Sequence, residues 1–166
     1  MGSQPKLELP PPFEEAMNRH EREIMRFIVR STHDREEALD LFQETWLRAY
    51  RAYPQLDSAN GLRPWLFRIA SNLCLNRRRD RMRHSRVIEA EDGNADVTAD
   101  PNGGGHDAVM HLRASIERLP ARQRQVLMMR KFAGLEYDEI ATALGCSSES
   151  ARAGVYQALK KLKAEL

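Results

Sequence analysis

LPARQRQVLMMRKFAGLEYDEIATALGCSSESARAGVYQALKKLK, residues 119–163, is the stretch from which the fold class is read. Pro120 suits the opening of a helix, whose apolar positions are Val126, Leu127 and Met129. Ala133-Gly134 ends it. A short helix is predicted over Tyr137–Leu144, with Asp138 and Glu139 in the first turn, where the helix dipole favours acids. Gly145 supplies a tight turn, and Ser147 is a good N-cap for a last helix running to about Lys163. The inner stripe of that helix reads Ala151, Val155, Leu159 and Leu162. A short helix, a glycine turn and a capped second helix form the helix-turn-helix signature. Such a unit inserts the N-terminal end of its second helix into the major groove of DNA. Ser148, Glu149, Arg152, Tyr156 and Gln157 then face outward as candidates for base edges or phosphates. Lys160, Lys161 and Lys163 follow on the last turns, where they suit phosphates or the helix dipole. A plain helical hairpin could carry the same lysines; turn glycine, cap and basic face together favour DNA.

Outward from this unit, the totals set bounds. The chain has 166 residues, enough for one ordinary domain or two small ones. Charged residues make up 30% and the hydrophobic set 42%, which describes a soluble chain with modest cores. No apolar run approaches the roughly 20 residues of a membrane span. Met1–Pro12 is polar and Pro-rich, so no signal peptide is read there. Cys74 and Cys146 do not make a disulfide framework, and the expected location is a reducing cytoplasm. The net charge of +2 hides a split. Residues 13–86 carry 15 Lys/Arg against 11 Asp/Glu, and residues 109–166 carry 10 against 6. Between them, residues 87–108 hold 6 acids and no Lys or Arg. Two mildly basic blocks on an acidic connector hint at a polyanionic partner.

Apolar residues in the first block recur at helical spacing, and no long alternation of period two is present. Phe13, Met17, Ile24, Phe27 and Ile28 mark a first helix; Leu39, Phe42, Trp46, Tyr50 and Tyr53 mark a second. Asp34 and Glu37 are spaced as a capping box at its start, and Pro54 stops it. Asn60-Gly61 reads as a turn, and Pro64 as the first position of a third helix with the stripe Leu66, Ile69, Ala70 and Leu73. That helix runs on into Arg77, Arg78, Arg79, Arg81, Arg83 and Arg86. From Val87 to Ala108, acids and Gly103-Gly104-Gly105 leave too little apolar surface to offset ordering. The organisation read is therefore all-α: a helical domain over 13–86, a flexible acidic Gly-rich linker over 87–107, and a helix-turn-helix domain over 108–166. Val109, Leu112 and Ile116 mark the first helix of that last domain.

The 119–163 stretch resembles the promoter −35-binding region of bacterial sigma factors. DREEALDLFQETWLRAYRAYPQLD (34–57) and RPWLFRIASNLCLNRRRDR (63–81) resemble the core-binding and −10-binding region of the same family. Two such domains and one linker are the layout of its smallest members, the extracytoplasmic-function (ECF) group. The resemblance implies binding to core RNA polymerase, recognition of −35 and −10 promoter DNA, and help in melting the −10 region. Asp40, Gln43 and Glu44 fall at i, i+3 and i+4 and share a helix face. They match the polymerase-binding motif, which Glu37 and Glu36 extend. Trp65 and the loop Asp57–Arg63 match the element that captures a flipped non-template base, with Asn60 and Arg63 as loop contacts. Trp65 also suits a plain core position. Arg68, Asn72, Asn76, Arg77 and Arg78 lie on the outer side of the third helix and could track phosphates. On the −35 side the candidates are Ser148, Glu149, Arg152, Tyr156, Gln157 and Lys160. In position, the acidic linker matches a segment that threads toward the RNA exit path; extended solubility alone would favour the same composition.

Several positions depart from the family pattern. Glu37-Ala38-Leu39-Asp40 stands where many relatives have Asp-Ala-Glu-Asp, so one acid is replaced by Leu39. Glu136 stands where Ser or Thr often caps the short helix, which predicts a weaker cap. Gly154, Gln157 and Leu159 occupy positions often held by Arg, and Gly154 is expected to cost helix stability, about 1 kcal/mol against Ala. No phosphate loop or nucleophile motif is present, and His20, His33, His84, His106 and His111 do not pair with the cysteines at metal-ligand spacing. Neither a metal, nor a cofactor, nor enzymatic activity is expected. An anti-sigma protein is an expected partner, and membrane insertion is not expected. Two other readings are weighed: a sigma-like decoy that sequesters an anti-sigma factor, and a nucleic-acid enzyme with a helix-turn-helix tail. The lack of a separate catalytic block argues against the second.

Overall fold

The computed structural model describes residues 8–32, 34–91 and 104–165. Helix α1 spans Phe13–Ser31, α2 Arg35–Ala52, α3 Leu62–Glu91, α4 Gly104–Arg118, α5 Ala121–Lys131, α6 Tyr137–Leu144 and α7 Ser148–Glu165. A 3₁₀ turn, Tyr53–Gln55, follows α2, and no strand occurs among the described residues. Helices α1, α2 and α3 pack on one another; α5, α6 and α7 form a second group, with α4 against α7. The two groups touch through α3, which meets both α5 and α6.

Local chemistry sets the helix boundaries. The Asp34 carboxylate accepts from Glu37 N–H at 2.8 Å, capping α2. At its other end, Pro54 sits in the 3₁₀ turn that closes the helix. Gly61 adopts φ 90° in the turn before α3, where a Cβ would strain the backbone. Helix α3 begins at Leu62, so Pro64 is its third residue, not its first. Its missing N–H still costs nothing, because the first turn has no intrahelical acceptors. Ser147 Oγ accepts from Ser150 N–H at 3.1 Å and caps α7. Gly145 takes the left-handed conformation that turns the chain from α6 to α7. The cap of α6 departs from expectation. Glu139 reaches back to the Glu136 backbone N–H at 2.8 Å, so the orphan donor is satisfied from within the helix.

Helix ends depart from the expected linker. Helix α3 continues through Val87 to Glu91, and α4 starts at Gly104. The remainder of the expected connector, 92–103, lies outside the described residues, as does His33.

Packing also reassigns faces. In α2 the buried set is Ala38, Leu41, Thr45, Trp46 and Ala49, while Leu39 and Tyr50 are exposed. Small residues at 38 and 49 let α2 approach its neighbours closely beside the buried Leu41 and Trp46, while Leu39 and Tyr50, each one position after these alanines, fall outside. In α7 the buried stripe is Ala151, Val155, Ala158 and Leu162; Leu159 is exposed. Helix α5 is buried continuously from Arg124 to Met129, packed against α3, α6 and α7, with Ala121, Arg122 and Lys131 exposed at its ends. Gly154 has a reason for being glycine: a Cβ there would lie 2.9 Å from Val126 Cγ2 on α5. It faces α5, so an Arg at this position would meet the core and not DNA. In α4, Val109 and Leu112 are exposed and Ile116 partly buried, all three lining a groove between the helix groups with Phe27, Cys74 and Met128.

Candidate nucleic-acid and polymerase interfaces

On α2, Asp40 and Gln43 are exposed and Glu44 is partly so. With Leu47, Leu73 and Asp80 they line an open groove between α2 and α3. Asn76 and Arg77, assigned from sequence to the −10 strand, line this same groove. Glu44 is paired with Arg48 at 2.7 Å, one turn on. Glu37 does not join the exposed set. Its carboxylate is largely buried and pairs with Arg81 of α3 at 3.1 Å, so it ties α2 to α3. The exposed Leu39 and Leu47 flank Gln43 at helical spacing and make this face partly apolar.

The −10 candidates divide. Asn60 is exposed, its N–H donating to Ser58 Oγ at 3.0 Å, and Arg68 is exposed on α3. Trp65 is half-buried, packed against the core with its ring 6.3 Å from that of Tyr53. Arg63, Asn72 and Arg78 instead face the second helix group. Arg63 donates from Nε to Glu23 at 3.0 Å, from Nη1 to Glu139 at 3.1 Å, and from Nη2 to the Ala133 carbonyl at 2.9 Å. Its guanidinium also lies 5.4 Å from the centroid of Phe67. Burial alone would lower the Arg63 pKa, but the Glu23 and Glu139 carboxylates outweigh it and hold the group above its usual value. Glu23 is likewise desolvated, yet bonds from His20 and Arg63 hold its carboxyl below the usual range.

A second tie lies further along α3. Gln125 of α5 donates from Nε2 to Ser71 Oγ at 2.7 Å and to Asn72 Oδ1 at 2.9 Å. Arg78 donates to the Glu117 carbonyl, and burial lowers its pKa. Arg81 spans from Glu37 to Glu117 at 3.5 Å. Beneath this seam Arg124 is buried, donating to the carbonyls of Glu117 at 3.0 Å and Leu119 at 3.3 Å. Burial pushes its guanidinium down to about 10. Sequence reading missed Gln125, Glu139, Glu23 and Glu117 as partners. Gln125, a polar residue next to Val126 in the buried run Arg124–Met129, is the one local signal, since a buried amide needs a partner.

The −35 candidates fall on one continuous surface. Glu149, Arg152, Tyr156, Gln157 and Lys160 are exposed, with Tyr156 at 67%, and Ser148 is half-buried. Three are held by neighbouring helices. Ser148 is bonded to Asp138 of α6, the Arg152 guanidinium lies 4.9 Å from the Tyr137 ring centroid, and Gln157 accepts from Gln123 Nε2 at 3.0 Å. Among the described residues no group of His, Cys, Asp and Glu could hold a metal, and no helix is long and apolar enough to cross a membrane.

Comparison with known proteins follows the same division. Residues 16–84 match the model of sigma-70 region 2, and residues 110–162 that of sigma-70 region 4. The RNA polymerase sigma-H factor of Pseudomonas aeruginosa is 30% identical over 151 residues, covering 84% of this chain and 78% of that protein. The ECF RNA polymerase sigma factor EcfG of Rhodopseudomonas palustris is 31% identical, over 86% of this chain and 78% of its own length. Among solved structures, RpoE of Bartonella quintana in complex with the anti-sigma factor NepR superposes with a TM-score of 0.65 at 22% identity, covering 92% of this chain and 95% of that one. CnrH in complex with the cytosolic domain of CnrY gives 0.65 at 21% identity, over 92% and 85%. These two carry the fold alone; the relatives of higher identity and the ordered pair of matched regions carry the assignment. The chain belongs to the ECF group of bacterial RNA polymerase sigma factors.

Proposed function

We propose that this chain is a transcription-initiation subunit acting in the cytoplasm: it binds core RNA polymerase, grips promoter DNA at the −35 and −10 elements, and helps open the −10 region. The single observation that carries this is the pairing, in one chain, of an exposed Asp40-Gln43-Glu44 face with an exposed helix-turn-helix surface. The first domain, expected over 13–86, comprises α1 to α3, and the second, expected over 108–166, comprises α4 to α7. Asp40, Gln43 and Glu44 dock on polymerase, with Leu39 and Leu47 adding apolar contact; Glu37 acts by fixing α2 against Arg81. Asn60, Trp65, Arg68, Asn76 and Arg77 meet −10 DNA, joined by Arg63, Asn72 and Arg78 once the second domain moves off α3. Ser148, Glu149, Arg152, Tyr156, Gln157 and Lys160 meet the −35 element. Catalysis belongs to the polymerase. Tethering to polymerase and to the first domain raises the effective concentration of the second, so a modest −35 grip suffices.

A protein inhibitor of the anti-sigma class is a further partner, supported by the anti-sigma complexes of the two fold neighbours. A decoy that only sequesters such an inhibitor is the competing reading, motivated by Leu39 in the polymerase motif. Transcription by core polymerase plus the purified chain on a random promoter library separates the two. Promoter-dependent transcripts are expected; a folded chain and active core giving none would sink the initiation reading. Asp40→Lys with Glu44→Lys should weaken core binding at least tenfold, the scale set by losing two interface charges. Unchanged affinity would remove the polymerase role from that face.

A further inference from the structure

We infer that the first turn of α6 is the positioning element for −35 reading: Tyr137 orients the Arg152 guanidinium toward one base, and Asp138 fixes Ser148 beside it. The inference rests on the proposed −35 role of α7 and deepens it. Tyr137 is the first residue of α6 and is half-buried against the core. The Arg130 and Arg152 guanidinium carbons each lie 4.9 Å from the centroid of its ring. Arg130 is itself anchored, donating to the Leu135 carbonyl at 2.8 Å and pairing with Glu136 at 3.1 Å. The ring is therefore held by the core and from the α5 side, and Arg152 of the recognition helix stacks against a fixed surface. Among the described residues Arg152 has no carboxylate partner, so the ring is its fixing contact.

Orientation decides what an arginine on a recognition helix can do. A freely rotating guanidinium reaches any phosphate and carries no sequence information. Reading guanine requires two parallel N–H donors aimed at O6 and N7, in one plane. Stacking on an aromatic ring restricts the guanidinium plane before DNA arrives, so less freedom is lost on binding. Asp138 acts alike one turn earlier on α7, where its carboxylate accepts from the Ser148 hydroxyl. Gln157 is held from α5 through Gln123, outside this element.

Transcription by the holoenzyme from a promoter library randomised across the −35 element tests the assignment. Wild type, Arg152→Ala, Tyr137→Leu, Tyr137→Phe and Tyr137→Met are compared as full chains with matched thermal midpoints. Arg152→Ala should abolish a guanine preference at one position. Tyr137→Leu should reduce that preference about three- to tenfold, a fraction of a bidentate contact, with the other positions unmoved. Tyr137→Phe keeps the ring and should restore it. Tyr137→Met keeps the bulk without the ring and, should Leu unfold the domain, carries the same expectation as Leu. A base profile unmoved in Leu and Met, equal loss on all promoters, or failure of Phe alongside Leu would each overturn the assignment. A wild-type holoenzyme with no −35 preference would overturn the −35 reading beneath it, a distinguishable result.

Discussion

The outer faces of α3 and α7 carry the two proposed DNA surfaces, and the structure engages them differently. On α7 three of the candidate side chains, Ser148, Arg152 and Gln157, are steadied by α5 and α6 of their own domain. On α3, Arg63, Asn72 and Arg78 are engaged by the other domain, through Glu139, Ala133, Gln125 and Glu117. The seam thus ties down part of the α3 surface, Arg63, Asn72 and Arg78, and leaves Arg68, Asn76 and Arg77 exposed beside it. A helix-turn-helix reads intact duplex and can be complete before DNA arrives. On the proposed reading, contact with an opened strand waits until the second domain has moved off α3. The closed arrangement and the −10 role of Arg63 are mutually exclusive, since one guanidinium cannot serve both.

Breaking the seam gives the largest expected effect. Glu139→Gln keeps an acceptor for the Glu136 N–H but removes the charge from Arg63; Gln125→Ala removes the bonds to Ser71 and Asn72. The Arg63 and Glu139 side chains are about a third exposed, so the pair is discounted for screening. Together the changes should cost the closed form roughly 2 kcal/mol, about thirtyfold in the closed-to-open ratio. The radius of gyration of the free chain should rise, while binding to −35 duplex stays level. Cys74 gives a second reading. Burial pushes its thiol up to about 12, so it resists alkylation while the groove between domains is closed. Faster Cys74 alkylation is expected on opening; an unchanged radius and rate would show that these contacts do not hold the face closed.

Next in size is the inner side of α7. Gly154→Ala gains about 1 kcal/mol of helix propensity but forces a contact with the stiff side chain of Val126, at about 1–3 kcal/mol. A net loss of about 1 kcal/mol in thermal unfolding is expected, and Val126→Ala in the same chain should reverse its sign. A stabilising Gly154→Ala on its own would mean that α7 is not clamped to α5 there.

The caps should be equal across the comparison. Asp34→Ala in the first domain and Ser147→Ala in the second should each cost about 1 kcal/mol. In separate domains the two losses should add to within about 0.5 kcal/mol; a larger deviation in chemical denaturation would reveal coupling through the seam. The smallest effect concerns charge alone. Lys160→Ala should reduce the salt dependence of −35 duplex binding by about 0.9 in log–log slope, one phosphate contact. Arg63→Ala should leave that slope unchanged, and a shared loss would erase the division of labour between α3 and α7.

How legible all this was in the sequence follows from range. Asp34, Gly145 and Ser147 act on backbone within a few residues of themselves, so their cap and turn roles were read correctly from neighbours alone, whereas Glu37, expected to complete a capping box with Asp34, turns to Arg81 instead. Ala151, Val155 and Leu162 of the α7 stripe and Trp46 of the α2 stripe were read correctly. At Ala38 and Ala49 of α2 and at Ala158 of α7 the buried position lies one residue before the expected one, because alanine is a weak apolar signal that wins by being small at a close helix contact. Glu136 read as a weak cap because the compensating Glu139 was not weighed as its partner.

By itself, then, the sequence determined an all-α chain, the helix-turn-helix with its caps, and the family to which the motifs belong. Hydrophobic period, turn glycines and cap residues are local codes, and backbone hydrogen bonds between near neighbours enforce them. Tertiary structure alone decided that Arg63 meets Glu139, 76 residues away, that Gln125 closes over Ser71, 54 residues away, and that Gly154 faces Val126. Those contacts depend on how two finished domains are set against each other, or two helices crossed. Such placement is fixed by shape and burial over the whole surface, which no short window of residues encodes.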